Sequence, residues 1–415
     1  MTLHDTPQKH GVNYAEATRV WARIAALSFG GPAGQIAVMH RILVDELRWV
    51  SEARFLHALN FCMLLPGPEA QQLATYLGWS LHGVRGGVTA GALFVLPGLL
   101  CLMALSWIYV LYGHVPAIAS IFFGLQCAVL AIVAQALWRV GKRALRTRTA
   151  LLVAVASFLA LRGFNLPFPL VVIAAAAIGW IALRPAVIEP ATDATMQRAS
   201  PLRAAIVAAV LWLLPVVVLF LLFGPDATFT RVASFFSRLA VVSFGGAYAA
   251  LAYVAQHAVE TEHWLSASEM LDGLGMAETT PGPLIMVVQF VGFLAGYRPS
   301  GSLLAGTLAG LLTTWVTFAP CFVWIFLGAP YVERLRSNKK LAGVLAGITA
   351  AVVGVIASLA VWFALHLLFA AGSMTPDWRA SLLTVLALLL LFAAKRGVLT
   401  VLAVCAAGSV VLAQL

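Results

Sequence analysis

The stretch LLPGPEAQQL, residues 64–73, sets one carboxylate and two carboxamides against a Pro-Gly-Pro break, with apolar residues on both sides. Pro66 offers no amide hydrogen and its ring collides with the preceding helical turn. Gly67 permits a sharp turn, and Pro68 suits the first turn of a new helix. A helix that starts there points unpaired backbone amides into the break, with roughly half a positive charge. Helix N-termini of this kind bind anions. Gln71 and Gln72 can donate amide hydrogens to oxyanion oxygens, or can join neighbouring helices. Glu69 is either a proton site or the partner of an arginine, because a bare carboxylate repels an anion unless protonated or paired. The chemistry on offer is reversible anion binding with a titratable group in the same place.

The constellation occurs twice. SFGGPAG begins at Ser28 and SFGGAYA at Ser243; PGP stands at 66–68 and again at 281–283. Gly30 and Gly245 are 215 residues apart, as are Gly67 and Gly282, Arg23 and Arg238, Trp49 and Trp264, and Ser51 and Ser266. Pro97 with Pro320, and Gly124 with Gly347, match at 223, so the second copy has extra residues near YRPSG. Each double glycine loosens a helix, and Gly31-Pro32 can restart one. The candidate contacts are therefore Ser28, Gly30, Gly31, Pro66, Gly67, Pro68, Glu69, Gln71 and Gln72 in the first copy. In the second they are Ser243, Gly245, Gly246, Glu278, Thr280, Pro281, Gly282 and Pro283. Gln289 is a further carboxamide of the same kind. The acids break the symmetry: Glu69 lies three residues after Pro66, and Glu278 three before Pro281. Arg23 and Arg238 are either anion contacts or helix-end arginines whose heads snorkel to water.

The elements that hold these residues must lie in a bilayer. Of 415 residues 62% are hydrophobic and only 10% charged, too few charges to cover a soluble domain of this size. Apolar runs approach the ~20 residues of a spanning helix along the whole chain. The first 18 residues are polar, which argues against a cleaved signal peptide. The net charge of +10 comes from short basic runs between apolar segments, read as topology signals and not as a nucleic-acid surface. The five cysteines have no CxxC spacing and the nine histidines form no HExxH, so neither disulfides nor a metal or other cofactor are expected.

The fold expected is an all-α polytopic membrane protein with about 10–13 transmembrane segments in two homologous, inverted repeats, broken at FGG and PGP. The divisions are a polar tail at 1–14, a first repeat at 15–184, a polar linker at 185–202, an extra span at 203–223 and a second repeat at 228–413. Basic loops fall at 139–148, 333–340 and 395–396, and all three reach the cytoplasmic side if the N-terminus is inside and the second copy is upside down. The acidic run VETEH (259–263) would also face inward on that count, and re-entrant PGP segments would lower the number of crossings. Residues 53–65 and 68–82 are each too short to cross, so they read as half-helices meeting inside the membrane.

SFGGP, LLPGPEAQQLATYLGW, SFGGAY and AETTPGPLIMVVQFVGF, in this order, resemble the chromate ion transporter family in its long two-domain form. The resemblance implies a bacterial inner-membrane protein that exports chromate and confers chromate resistance, with substrate contacts around FGG and PGP. Export of a dianion from a negative-inside cell gains about 4.6 kcal/mol per 100 mV, or about three decades of gradient. No Walker motif is present and none is needed. Sulfate or another small anion stays open as the substrate, a homodimer stays open as the assembly, and the lipid bilayer is a partner. An intramembrane enzyme using Glu69 or Glu278 is the remaining alternative, but no nucleophile with a base is in view, so the chain is read as a carrier and not an enzyme.

Overall fold

The structure is a computed structural model that describes residues 11–183, 201–244, 246–328, 339–369 and 375–414. Among these residues the protein is all-α, a multi-pass membrane architecture without a strand. The helices of the first half are α1 (Tyr14–Leu27), α2 (Gly31–His40), α3 (Glu52–Cys62), α4 (Glu69–Tyr112), α5 (Pro116–Ala144), α6 (Arg148–Arg162) and α7 (Phe168–Ala182). A single helix, α8 (Leu202–Phe223), follows. The second half has α9 (Thr228–Val242), α10 (Ala247–Ala255), α11 (Ala267–Thr279), α12 (Val287–Tyr297), α13 (Leu303–Gly328), α14 (Lys339–Leu368), α15 (Trp378–Leu388) and α16 (Val398–Leu412).

Five of them, α4, α5, α8, α13 and α14, are long and apolar enough to cross a bilayer. At ~1.5 Å per residue the 22 residues of α8 make about 33 Å, close to the ~30 Å hydrocarbon thickness. Its outer leucines and phenylalanines, among them Leu214, Leu221 and Phe223, are exposed, which suits lipid contact.

The short helices come in hairpins. α4 folds back on itself at His82-Gly83, where the backbone leaves the helical region (Gly83 φ 66°, ψ −154°). The limbs 69–81 and 84–112 run antiparallel at a separation only glycine allows: a Cβ on Gly78 would stand 2.4 Å from the Gly86 carbonyl oxygen. α12 packs against α13 in the same way, and a Cβ on Gly292 would lie 1.9 Å from Thr313 Oγ1. Small residues set such close helix pairs where no hydrophobic force distinguishes helix from lipid. Ion pairs tie the free ends of the remaining hairpins. Arg298, after α12, pairs with Glu269 in the first turn of α11, and Arg231 of α9 pairs with Glu262. Each of these hairpins therefore returns to the side it came from.

The backbone repeats local detail at the spacing of 215. A π-turn follows α2 at Arg41–Glu46 and another follows α10 at Gln256–Thr261. Arg48 and His263 both hold φ 52°. Ser51 caps α3, and Ser266 caps α11 in a full capping box with Glu269. Further along, α5 packs on α15 and α16, while α14 packs on α6 and α7.

Candidate anion site at the helix breaks

In each Pro-Gly-Pro only the glycine has an amide hydrogen. Gly67 N–H donates to the Ser243 carbonyl at 2.9 Å, and Gly282 N–H donates to the Ser28 carbonyl at 2.9 Å. Those serine carbonyls are free because the chain leaves the helix there, with Ser28 at φ −82°, ψ 76° and Ser243 at φ −80°, ψ 73°. Each break thus satisfies the other across the two halves, which is how non-helical backbone survives at membrane depth. Gln35 secures the same place by donating its amide to the Gly282 carbonyl.

Gly67 (φ 111°) and Gly282 (φ 103°) occupy backbone that side chains avoid. Gly30 (φ 80°) and Gly31 (φ 72°) do so at the start of α2, and Gly246 (φ 98°) at the start of α10. Gly245 lies outside the described residues. The residue after a helical proline closes each break: Gly98, after Pro97, lies under Pro281 and Gly282, and Cys321, after Pro320, lies under Gly67. The N-termini of α2, α4 and α10 and the short 3-10 turn Leu284–Met286 after Pro283 all start at these breaks. Their first amides have no intrahelical acceptor.

Both acids gather on the second FGG. Glu69 opens α4, and a Cβ on Gly246 would stand 3.6 Å from its Oε1. Glu278 is 4% exposed and accepts from the Tyr248 hydroxyl at 2.9 Å. The asymmetry of their sequence positions therefore resolves into one place, the first turn of α10. Thr280 is buried beside them, its hydroxyl turned back to the Ala277 carbonyl. Ser28 Oγ is likewise spent on the Ile24 carbonyl, whereas the buried Ser243 hydroxyl has no partner among the described residues.

The carboxamides are fully buried and each spends an amide hydrogen on backbone. Gln72 donates to the Pro66 carbonyl at 2.6 Å, Gln71 to Phe318 at 3.4 Å and Gln289 to Leu99 at 3.0 Å. They brace the breaks, and their roles as helix glue and as polar lining coincide.

The arginines singled out by the repeat lie elsewhere. Arg23 is 54% exposed and pairs with Glu46 at 3.3 Å; Arg238 is exposed and donates to the Ser234 carbonyl at 3.2 Å. Among the described residues neither Glu69 nor Glu278 forms an ion pair; the basic residues at the end of α5 are Arg139, Lys142 and Arg143, of which the two arginines stand one turn apart. Both belong to the basic run 139–148, which the sequence marks as a topology signal. The i, i+4 spacing of the two arginines, which puts them on one helix face, is the signal that could have drawn attention to them. Among the described residues no group of three or more His, Cys, Asp or Glu side chains is arranged to hold a metal ion.

Comparison with known proteins finds a family match over most of the chain. The family model described as chromate transporter matches residues 15–180 and 230–411. The chain is similar to a chromate transport protein of Pseudomonas aeruginosa, 33% identical over 83% of this chain and 80% of that one. It is also similar to the chromate transport protein of Cupriavidus metallidurans, 27% identical over 80% and 78% of the respective chains. A probable chromate transport protein of Synechococcus elongatus is 29% identical over 83% of each chain. No solved structure matches.

Proposed function

The chain belongs to the chromate transporter family, and we propose that it exports chromate from the cytoplasm across the bacterial inner membrane and so confers resistance to it. The observation that carries this reading is the reciprocal bonding of FGG and PGP. It assembles helix N-termini from both halves around one place, where a tetrahedral dianion meets backbone amides and the Ser243 hydroxyl without an obligatory cation. Arg139 and Arg143 draw the anion toward that place from the cytoplasmic end of α5, and the membrane potential drives it outward.

The two halves act as inverted repeats about an axis in the membrane plane. The hairpins α1–α2 and α3 with the first limb of α4 enter from the cytoplasmic side, α9–α10 and α11–α12 enter from the opposite side, and α8 makes the inversion possible. Glu69 and Glu278, which face the same amides as the substrate, exchange a proton as the anion comes and goes. Sulfate, a near-isostere of chromate, is the second reading: among the described residues the breaks offer backbone amides and the Ser243 hydroxyl, which suit either anion.

Uptake of labelled chromate into inside-out vesicles tests the proposal. Saturable uptake that depends on this protein, with excess sulfate competing weakly, supports it. Uptake of sulfate with chromate as the weak competitor would assign the second reading, and absence of both fluxes would refute carriage of either anion.

A further inference from the structure

A cavity of about 460 Å³ opens between the ends of α4, α5, α11, α15 and α16. It meets α11 at its first turns, near Ser268, and so lies at the far end of that helix from the Pro281–Pro283 break. One wall carries Asp272, which is only 5% exposed. Its Oδ1 accepts from Gln126 Nε2 at 2.7 Å and its Oδ2 from the Tyr109 hydroxyl at 2.8 Å. Gln126 also reaches Ser268 Oγ at 2.8 Å, and the Tyr109 ring sits edge-on to Phe122 and Phe290, each with centroids 5.1 Å away. The carboxylate is therefore held rigidly by three helices.

Among the described residues no cation pairs with it. Glu269 on the same helix is tied to Arg298. Asp377 is committed to capping α15, accepting from the Arg379 and Ala380 amides at 2.7 and 3.2 Å. The Arg379 guanidinium lies over the Trp378 ring, 5.5 Å from its centroid. Gln126 and Ser120, whose hydroxyl donates to the Pro116 carbonyl, are the polar contributions of α5 to the wall, and Ser409 that of α16. An asparagine would brace the same helices without the cost of burying a charge. With both oxygens already holding donors and few other oxygens free, the group is ill suited to a metal cation, which needs six or more oxygen ligands if calcium and near-octahedral geometry if magnesium. It is well suited to a proton delivered by water in the cavity.

We propose that Asp272 is a proton-binding site facing this cavity, separate from the helix breaks, and that it is the station at which a coupling proton enters from the side opposite the α5 arginines. The step is simple proton transfer: a hydronium ion in the cavity gives its proton to the Asp272 carboxylate and leaves water, and the reverse returns it. Asp272 and Glu278 stand six residues apart on α11, roughly 9 Å along its axis, so one half-helix joins the cavity to the break. The coupling role rests on the transport reading above; the binding of the proton does not.

Infrared difference spectra of the purified protein in lipid, taken over a pH series, test the binding. The wild type should show a protonated-carboxyl stretch that grows as the pH falls; one component of it should be missing in Asp272→Asn and retained in Asp377→Asn, while the components of Glu69 and Glu278 remain in both. Tyr109→Phe, which keeps the carboxylate but removes one donor, should displace the midpoint of that band and serves if Asp272→Asn does not fold. An undiminished band in Asp272→Asn, or an unmoved midpoint in Tyr109→Phe, would overturn the assignment. Coupling is read separately, as chromate efflux from proteoliposomes at fixed potential with only the external pH varied. Asp272→Asn should lose the response to external pH while chromate still protects the protein against heating. Retention of that response would overturn the coupling role. Failure of chromate to bind or move in the wild type would instead refute the transport reading, leaving the infrared result to judge Asp272.

Discussion

Gly67 and Gly282 do two jobs at once, supplying the single amide of their triplets and bending where no other residue bends cheaply. Their neighbours differ. A Cβ on Gly282 would meet the Gly98 Cα at 3.1 Å and its nitrogen at 3.3 Å, which is backbone and cannot step aside. A Cβ on Gly67 would meet Gln72 Nε2 at 3.0 Å and Cys321 Sγ at 3.2 Å, both movable side chains. Each alanine carries a backbone cost of about 1–3 kcal/mol, so both variants should melt lower than wild type, Gly282→Ala by clearly more. Equal melting shifts would show that the contact with Gly98 carries no weight. The acids make a second pair. Glu69→Gln should remove the response of transport to cytoplasmic pH and keep potential-driven chromate movement, whereas Glu278→Gln also weakens the Tyr248 contact and should lower the folded yield. Transport per folded protein across a cytoplasmic pH series reads both, and an unchanged profile in Glu69→Gln would make that residue structural. At this scale the sequence announced the breaks but not their partners. A Gly-Pro motif shows where a helix must stop; that the lone amide of one triplet bonds to a serine 176 or 254 residues away follows only from the packing of the two halves. Asp272 was invisible for a related reason, since its donors come from α4 and α5.

Half-helices explain why periodicity alone misplaces the elements. The 44 residues of α4 read as two apolar segments separated by His82 and Arg85, and the structure folds them into one antiparallel pair. Capping was legible because it is local: Ser51 and Ser266 stand where serine and a following acid predict helix starts. The ion pairs that return each hairpin to its own side were not, because Glu269 meets Arg298 only once α11 and α12 are both in place. The hairpins yield a topological prediction. Cysteines introduced at 54 and 81 should react with an impermeant reagent from one face of the membrane, and cysteines at 261 and 300, both exposed, from the other. Labelling of all four from the same face would refute the inverted arrangement while leaving the hairpins intact.

For the molecule as a whole, the division of labour follows from unequal halves. Both halves supply broken helices, but both acids converge on α10, whereas a Cβ on Gly30 or Gly31 would meet nothing within 4 Å; in the transport cycle proposed above, proton and anion compete at the second FGG. Sequence symmetry reveals the repeats; the convergence of acids that sit out of register required the fold. In the proposed function the membrane potential drives the dianion outward. The direct measurement is efflux of labelled chromate from proteoliposomes in which a potassium diffusion potential is stepped at equal pH on both sides. Net efflux should rise steeply as the lumen becomes negative, with a driving force of about 4.6 kcal/mol per 100 mV for two charges, and should vanish when the potential is clamped at zero and chromate is equal on both sides, leaving only exchange of label. Efflux that ignores the potential would contradict the account, because the site would then be moving no net charge.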